Sequence, residues 1–114
     1  MHALFIELPP FERRRAQFLD DDGFREMQAA LVRNPLAGEV IPGTGGLRKV
    51  RFADQRRQKG KRGGLRVIYY FWLGGAQFWL FTLYDKDDQT DLTSSQAKQL
   101  KQLLETELRA RSMG

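Results

Sequence analysis

Leu4, Ile6 and Leu8 alternate with Phe5 and Glu7, a period-2 pattern that predicts a strand over residues 4–8. Pro9-Pro10 ends it, and residues 11–18 follow as a helical turn or two. Asp20-Asp21-Asp22 offers a cap and a favourable dipole contact to a second helix, whose Phe24, Met27 and Leu31 recur at helical spacing beside Ala30. Asn34-Pro35 stops that helix. After Glu39-Val40-Ile41-Pro42, the glycine-rich loop 43–46 admits a strand over 47–52, with Val50 and Phe52 on one face and Lys49 and Arg51 on the other. The polar, glycine-bounded segment 54–64 reads as an exposed loop, and the apolar run 65–72 as a central strand covered on both faces. Gly74-Gly75 turns the chain into a returning strand over 77–84, on which alternation places Phe78, Leu80, Thr82 and Tyr84, with Lys86 beyond, on one face. Thr93-Ser-Ser-Gln96 is a capping box with Leu92 as its staple, opening a last helix with Ala97, Leu100, Leu104 and Leu108 as its buried stripe. Arg109 and Arg111 suit the dipole at its end. The order β-α-α-β-β-β-α predicts an α+β domain: a small, mostly antiparallel four-stranded sheet with two N-terminal helices and a C-terminal helix.

At 114 residues the chain has room for one domain, 1–114, built on one core. Charge changes the picture more than composition does. Residues 43–66 hold nine cations (Arg48, Lys49, Arg51, Arg56, Arg57, Lys59, Lys61, Arg62, Arg66) against Asp54, a net +8, while the whole chain carries +5 and the remainder therefore −3. Basicity concentrated in this way points to a polyanionic partner. The glycines at 43–46 lack the Gly-Lys-Ser/Thr ending of a P-loop, so they read as an entry loop. Arg13-Arg14-Arg15 reads as a solvated helix face, and Asp85, Asp87 and Asp88 as a solvated cluster rather than a metal site. No run approaches the roughly 18 apolar residues of a membrane span, and the N-terminus lacks the basic region of a signal peptide. Without cysteine, and with His2 as the single histidine, disulfides, thiolate metal sites and histidine catalysis are not expected. The absence of cysteine fits a cytoplasmic protein.

Three runs, in order, resemble the RelE toxin superfamily, and most closely its HigB-type members: residues 38–51 (GEVIPGTGGLRKVR), 60–71 (GKRGGLRVIYYF) and 83–86 (LYDK). Asp91-Leu92 opening a last helix rich in Gln and Lys also matches. The resemblance covers nearly the whole chain and implies a RelE-like fold and the toxin of a type II toxin–antitoxin module. Such toxins are messenger-RNA endonucleases acting in the ribosomal A site. Implied partners are the 70S ribosome, mRNA and a cognate HigA-like antitoxin with a helix-turn-helix, through which the complex meets operator DNA. No cofactor, metal or membrane is implied.

Metal-free RNA cleavage requires a base for the 2′-hydroxyl, cations for the phosphorane anion and an acid for the leaving 5′-oxygen. Lys49 and Arg51 match the family's basic pair two apart on a strand, Arg66 its arginine opening the next strand, and Lys86 its basic group past the last strand, with Tyr84 alongside. Like-charge crowding favours a neutral lysine, and Lys49 lies between Arg48 and Arg51, so Lys49 takes base or electrostatic duty. An arginine stays charged and cannot be the base, which leaves Arg66 for the phosphate with Arg51 assisting. Tyr84 or Lys86 serves as acid or as a base-stacking group, while a core position for Tyr84 stands as the alternative. Arg48, Arg56, Arg57, Lys59, Lys61 and Arg62 are assigned to RNA backbone, with a steep salt dependence. Two other readings compete: a gyrase-poisoning toxin of the ParE kind on the same architecture, and a catalytically silent module that binds RNA or an acidic protein.

Overall fold

The computed structural model describes residues 3–53 and 64–113. Arg56, Arg57, Lys59, Lys61 and Arg62 of the expected basic arm lie outside the described residues, as do Asp54 and His2. Strands β1 (Leu4–Glu7), β2 (Glu39–Val40), β3 (Arg48–Phe52), β4 (Leu65–Trp72) and β5 (Gln77–Asp85) form one mixed sheet in the order β1-β5-β4-β3-β2. Only β1 and β5 pair in parallel; the other neighbours are antiparallel. Among the described residues the sheet thus has five strands, not four. The addition is β2, whose Glu39 and Val40 pair with Lys49 and Arg48; two residues are too few for alternation to reveal.

Helices α1 (Pro9–Phe18), α2 (Asp21–Arg33) and α3 (Ser94–Met113) follow from local chemistry. Pro9 and Pro10 open α1, where their missing N–H groups cost nothing. Asp20 caps α2 by accepting from Gly23 N at 2.7 Å. The capping box of α3 is closed both ways: Gln96 N donates to Thr93 Oγ1 and Thr93 N to Gln96 Oε1, each at 3.0 Å.

The sheet separates two apolar clusters, so the expected single core is divided. Phe11, Phe18, Met27 and Leu31 of α1 and α2 pack with Leu65, Val67, Tyr69, Phe78, Leu80 and Leu83 on one face. Leu100 and Leu104 of α3 pack with Leu47, Ile68, Trp79, Phe81 and Tyr84 on the other. At the far end of α3, the Arg111 guanidinium stands 5.8 and 5.3 Å from the ring centroids of Trp72 and Trp79, a cation–π contact beyond its expected dipole role. Among the described residues no helix is long and apolar enough to cross a membrane.

One register slip decides how the functional face is built. Ile68 pairs with Thr82 but Tyr69 with Leu80, leaving Phe81 as an extra residue in β5. The bulge reverses the alternation. Phe78 and Leu80 face α1 and α2, whereas Tyr84 faces α3, so the expected common face for Phe78, Leu80, Thr82, Tyr84 and Lys86 is corrected. From Phe78 to Asp85 every residue is buried, Thr82 and Asp85 included, so no exposed polar position marked the slip in the sequence.

The turn after β5 corrects a second reading. Asp85 is buried, and its Oδ1 accepts from Asp87 N at 2.8 Å while its carbonyl accepts from Asp88 N at 3.0 Å. It shapes the turn instead of being solvated. Tyr69 has a comparable structural duty on the α1/α2 face. Its hydroxyl accepts from Gly38 N at 3.0 Å and donates to Pro35 O at 2.9 Å, pinning the segment before β2. Burial pushes its pKa up, against smaller downward contributions from the Gly38 bond and the Arg48 charge. Tyr69→Phe is expected to cost about 1–3 kcal/mol by stranding the Gly38 N–H. Chemical denaturation measures this, and an unchanged midpoint would contradict the pinning role.

Candidate active site

Strand register sets three of the sequence-selected residues in one line across the sheet. Arg51 of β3 is opposite Arg66 of β4, and Arg66 is opposite Tyr84 of β5. One step along, Lys49 is opposite Ile68, which shares the α3 face with Tyr84. All four side chains therefore belong to the same face of the sheet, at the end where β4 enters it. Close backbone approach fixes that entrance. A Cβ on Gly64 would lie 2.0 Å from the Phe52 carbonyl oxygen, so only glycine lets β4 start beside the end of β3.

Arg66 is 4% exposed. Its Nη1 donates to Gly64 O at 3.3 Å and Leu65 O at 3.5 Å, and no carboxylate among the described residues pairs with it. Buried charges are ordinarily paired, because an uncompensated one is costly to desolvate. Tyr84 is fully buried beside it, and no described residue gives its hydroxyl a hydrogen bond of full geometry. Burial and then the nearby Asp91 carboxylate push its pKa up to about 12, the Arg66 charge opposing them. The phenol therefore keeps its proton throughout the neutral range and suits an acid rather than a base.

Asp91 was missed as a site residue. Its Oδ1 meets Lys49 Nζ at 3.3 Å and accepts from Leu92 N at 2.8 Å. The Leu92 N–H, and to a lesser degree Lys49, hold its carboxyl below the usual carboxylate range despite some desolvation. Lys49 thus has a counter-charge 42 residues away in the chain, which sequence crowding by Arg48 and Arg51 did not suggest. Asp91 faces Tyr84 as well, so one carboxylate stands between the lysine and the phenol.

The remaining selected residues are distributed differently. Arg51 is exposed at the rim of the line. Lys86 is exposed in the turn past β5, where its backbone N donates to Gly64 O at 3.4 Å. Arg48 is opposite Tyr69 on the α1/α2 side, and its Nη1 donates to Gly38 O at 2.8 Å and Leu36 O at 3.4 Å. It braces the segment that Tyr69 pins.

No protein-family model matches the chain. Among solved structures it is similar to the free-state structure of the Escherichia coli toxin RelE, an arginine-to-alanine double mutant. The TM-score is 0.58 at 11% sequence identity, over 87% of this chain and 97% of that one. The fold is RelE-like, as the sequence resemblance implied.

Proposed function

We infer that this chain is the toxin of a type II toxin–antitoxin pair, of the HigB type, and that it cuts messenger RNA on the ribosome. One observation carries the reading: a buried arginine without a carboxylate partner among the described residues stands directly across from a buried tyrosine whose hydroxyl faces Asp91 but receives no hydrogen bond of full geometry from any described residue. A phosphate bound between them accepts from both, supplying the negative charge to one and the acceptor to the other.

The reaction is a transesterification. The 2′-oxygen of the RNA attacks the adjacent phosphorus, the bond from phosphorus to the 5′-oxygen breaks, and the products are a 2′,3′-cyclic phosphate and a 5′-hydroxyl. Arg66 holds the non-bridging oxygens as negative charge develops, with Arg51 assisting from the rim. Lys49 and Asp91 stand at the 2′-hydroxyl: the carboxylate, ionised at neutral pH, receives the proton and the ammonium steadies the forming alkoxide. Tyr84 gives its proton to the leaving 5′-oxygen. Tyr84 is fully buried, so phosphate binding requires its hydroxyl to become uncovered. Lys86 and the basic arm of Arg56, Arg57, Lys59, Lys61 and Arg62 are assigned to ribosomal or messenger backbone. The partner is a cognate antitoxin with a helix-turn-helix domain, through which the pair meets operator DNA, and the site of action is the cytoplasm.

Brief induction in growing cells tests the reading. Transcripts cut within reading frames while translation stops are the expected result. DNA breaks with intact transcripts would instead mark a gyrase poison of the ParE kind, and neither effect would leave a silent binding module.

A further inference from the structure

A pocket of about 360 Å³ lies between α1 and α3 over β5. It falls toward the small end of the roughly 300–1,000 Å³ usual for small-ligand sites, which suits a single nucleotide better than a docking helix. Tyr84 and Thr82 line it, so it shares a wall with the reactive line.

Its rim is ordered by the start of α3. Gln89 Nε2 donates to Gln96 Oε1 at 3.0 Å and to Asp91 O at 2.9 Å, while Gln96 Oε1 also accepts from Thr93 N at 3.0 Å. Both amides are held in place, and the atoms left for a ligand are an acceptor, Gln89 Oε1, and a donor, Gln96 Nε2. Arg13 and Arg14 stand on the α1 side. Arg14 lies 5.8 Å from the Phe18 ring centroid, and neither arginine pairs with an acid among the described residues. Among the described residues no carboxylate lines the pocket, and Leu92, Leu100 and Leu103 give it apolar walls.

These features answer the parts of a single-stranded nucleotide one by one. Arginines suit its phosphate, a fixed donor–acceptor pair suits the edge of its base, and apolar walls suit the faces of the base. We propose that this pocket is a nucleotide subsite holding the base next to the cleaved phosphate of a single-stranded RNA. The proposal rests on the endonuclease reading for the identity of the neighbouring phosphate.

The test is titration of the full chain with a 2′-O-methyl trinucleotide, which lacks the attacking hydroxyl and so reports binding without cleavage. Side-chain amide signals of Gln89 and Gln96 are followed by NMR. Those signals are expected to shift on binding, and Arg13→Ala/Arg14→Ala to weaken the affinity by about tenfold, as loss of charge-assisted hydrogen bonds predicts. A charge-matched pair on exposed positions of α3, Lys101→Ala/Arg109→Ala, is expected to stay within about twofold, and Leu103→Trp, which fills the pocket, to abolish the amide shifts. Equal weakening by both double variants, or binding that leaves the two amides unmoved, overturns the subsite. Cleavage of transcripts is scored separately: pocket binding without cleavage sinks the endonuclease reading and keeps the subsite, and cleavage without a pocket response does the reverse.

Discussion

Arg66→Ala is expected to lower transcript cleavage by about 10²–10³-fold, the range for losing one preorganised donor to a developing oxyanion. Arg66 is the one selected cation that is both buried and without a carboxylate partner among the described residues. Its removal therefore takes away the fixed positive charge at the phosphate and orphans no carboxylate among the described residues. The fold is expected to survive, because an unpaired buried guanidinium is a weak source of stability. Arg66→Lys separates charge from shape: it keeps the charge but loses the planar fork, and is expected to recover only part of the activity. In-vitro cleavage on programmed ribosomes, with far-ultraviolet circular dichroism and thermal unfolding as the control for folding, provides the measurement. Near-wild-type cleavage in a folded alanine variant would remove Arg66 from the reaction.

Tyr84→Phe is expected to split activity from stability. A general acid contributes about 10²–10⁴-fold, so cleavage falls by that order. Stability is expected to hold or rise by about 1 kcal/mol, because the lost hydroxyl is buried without a hydrogen bond of full geometry to any described residue and its desolvation is relieved. The alkaline limb of stability gives a second readout. The Tyr84 pKa stands at about 12 in the folded chain against 10.0 unfolded, so the unfolded state releases its proton first. The stabilisation is complete below pH 10 and is lost as pH rises through about 12. Tyr84→Phe removes this part of the slope, and Tyr69, also raised, retains its own. Unchanged cleavage in Tyr84→Phe would make this residue a core tyrosine and nothing more.

What the sequence made visible was local. Pro9-Pro10, Asp20 and the Thr93–Gln96 box act on backbone groups within four residues, so they mark the helix ends before any packing is known. Alternation along β3 likewise set Lys49 and Arg51 on one face and Val50 and Phe52 on the other, whereas Arg66, in a strand buried on both sides, joins that face only through the strand register. Nothing of that kind marks β5. A strand buried on both faces looks the same with or without an extra residue, and only the pairing of Ile68 with Thr82 and Tyr69 with Leu80 exposes the bulge at Phe81 that turns Tyr84 toward α3. The Lys49–Asp91 contact joins β3 to the segment between β5 and α3, 42 residues on, which no local pattern shows. The α1–α3 pocket was invisible for the same reason, since its arginines and its amides come from opposite ends of the chain.

The central claim is that Arg66 and Tyr84 grip a phosphate that the RNA's own 2′-hydroxyl attacks. Its most direct test is the chemistry of the cut ends, read by end-specific ligation of messenger RNA fragments made on programmed ribosomes. The account predicts upstream fragments ending in a 2′,3′-cyclic phosphate and downstream fragments beginning with a 5′-hydroxyl, both lost in Arg66→Ala. Fragments with 3′-hydroxyl and 5′-phosphate ends, or transcripts left whole by the folded protein, would contradict it.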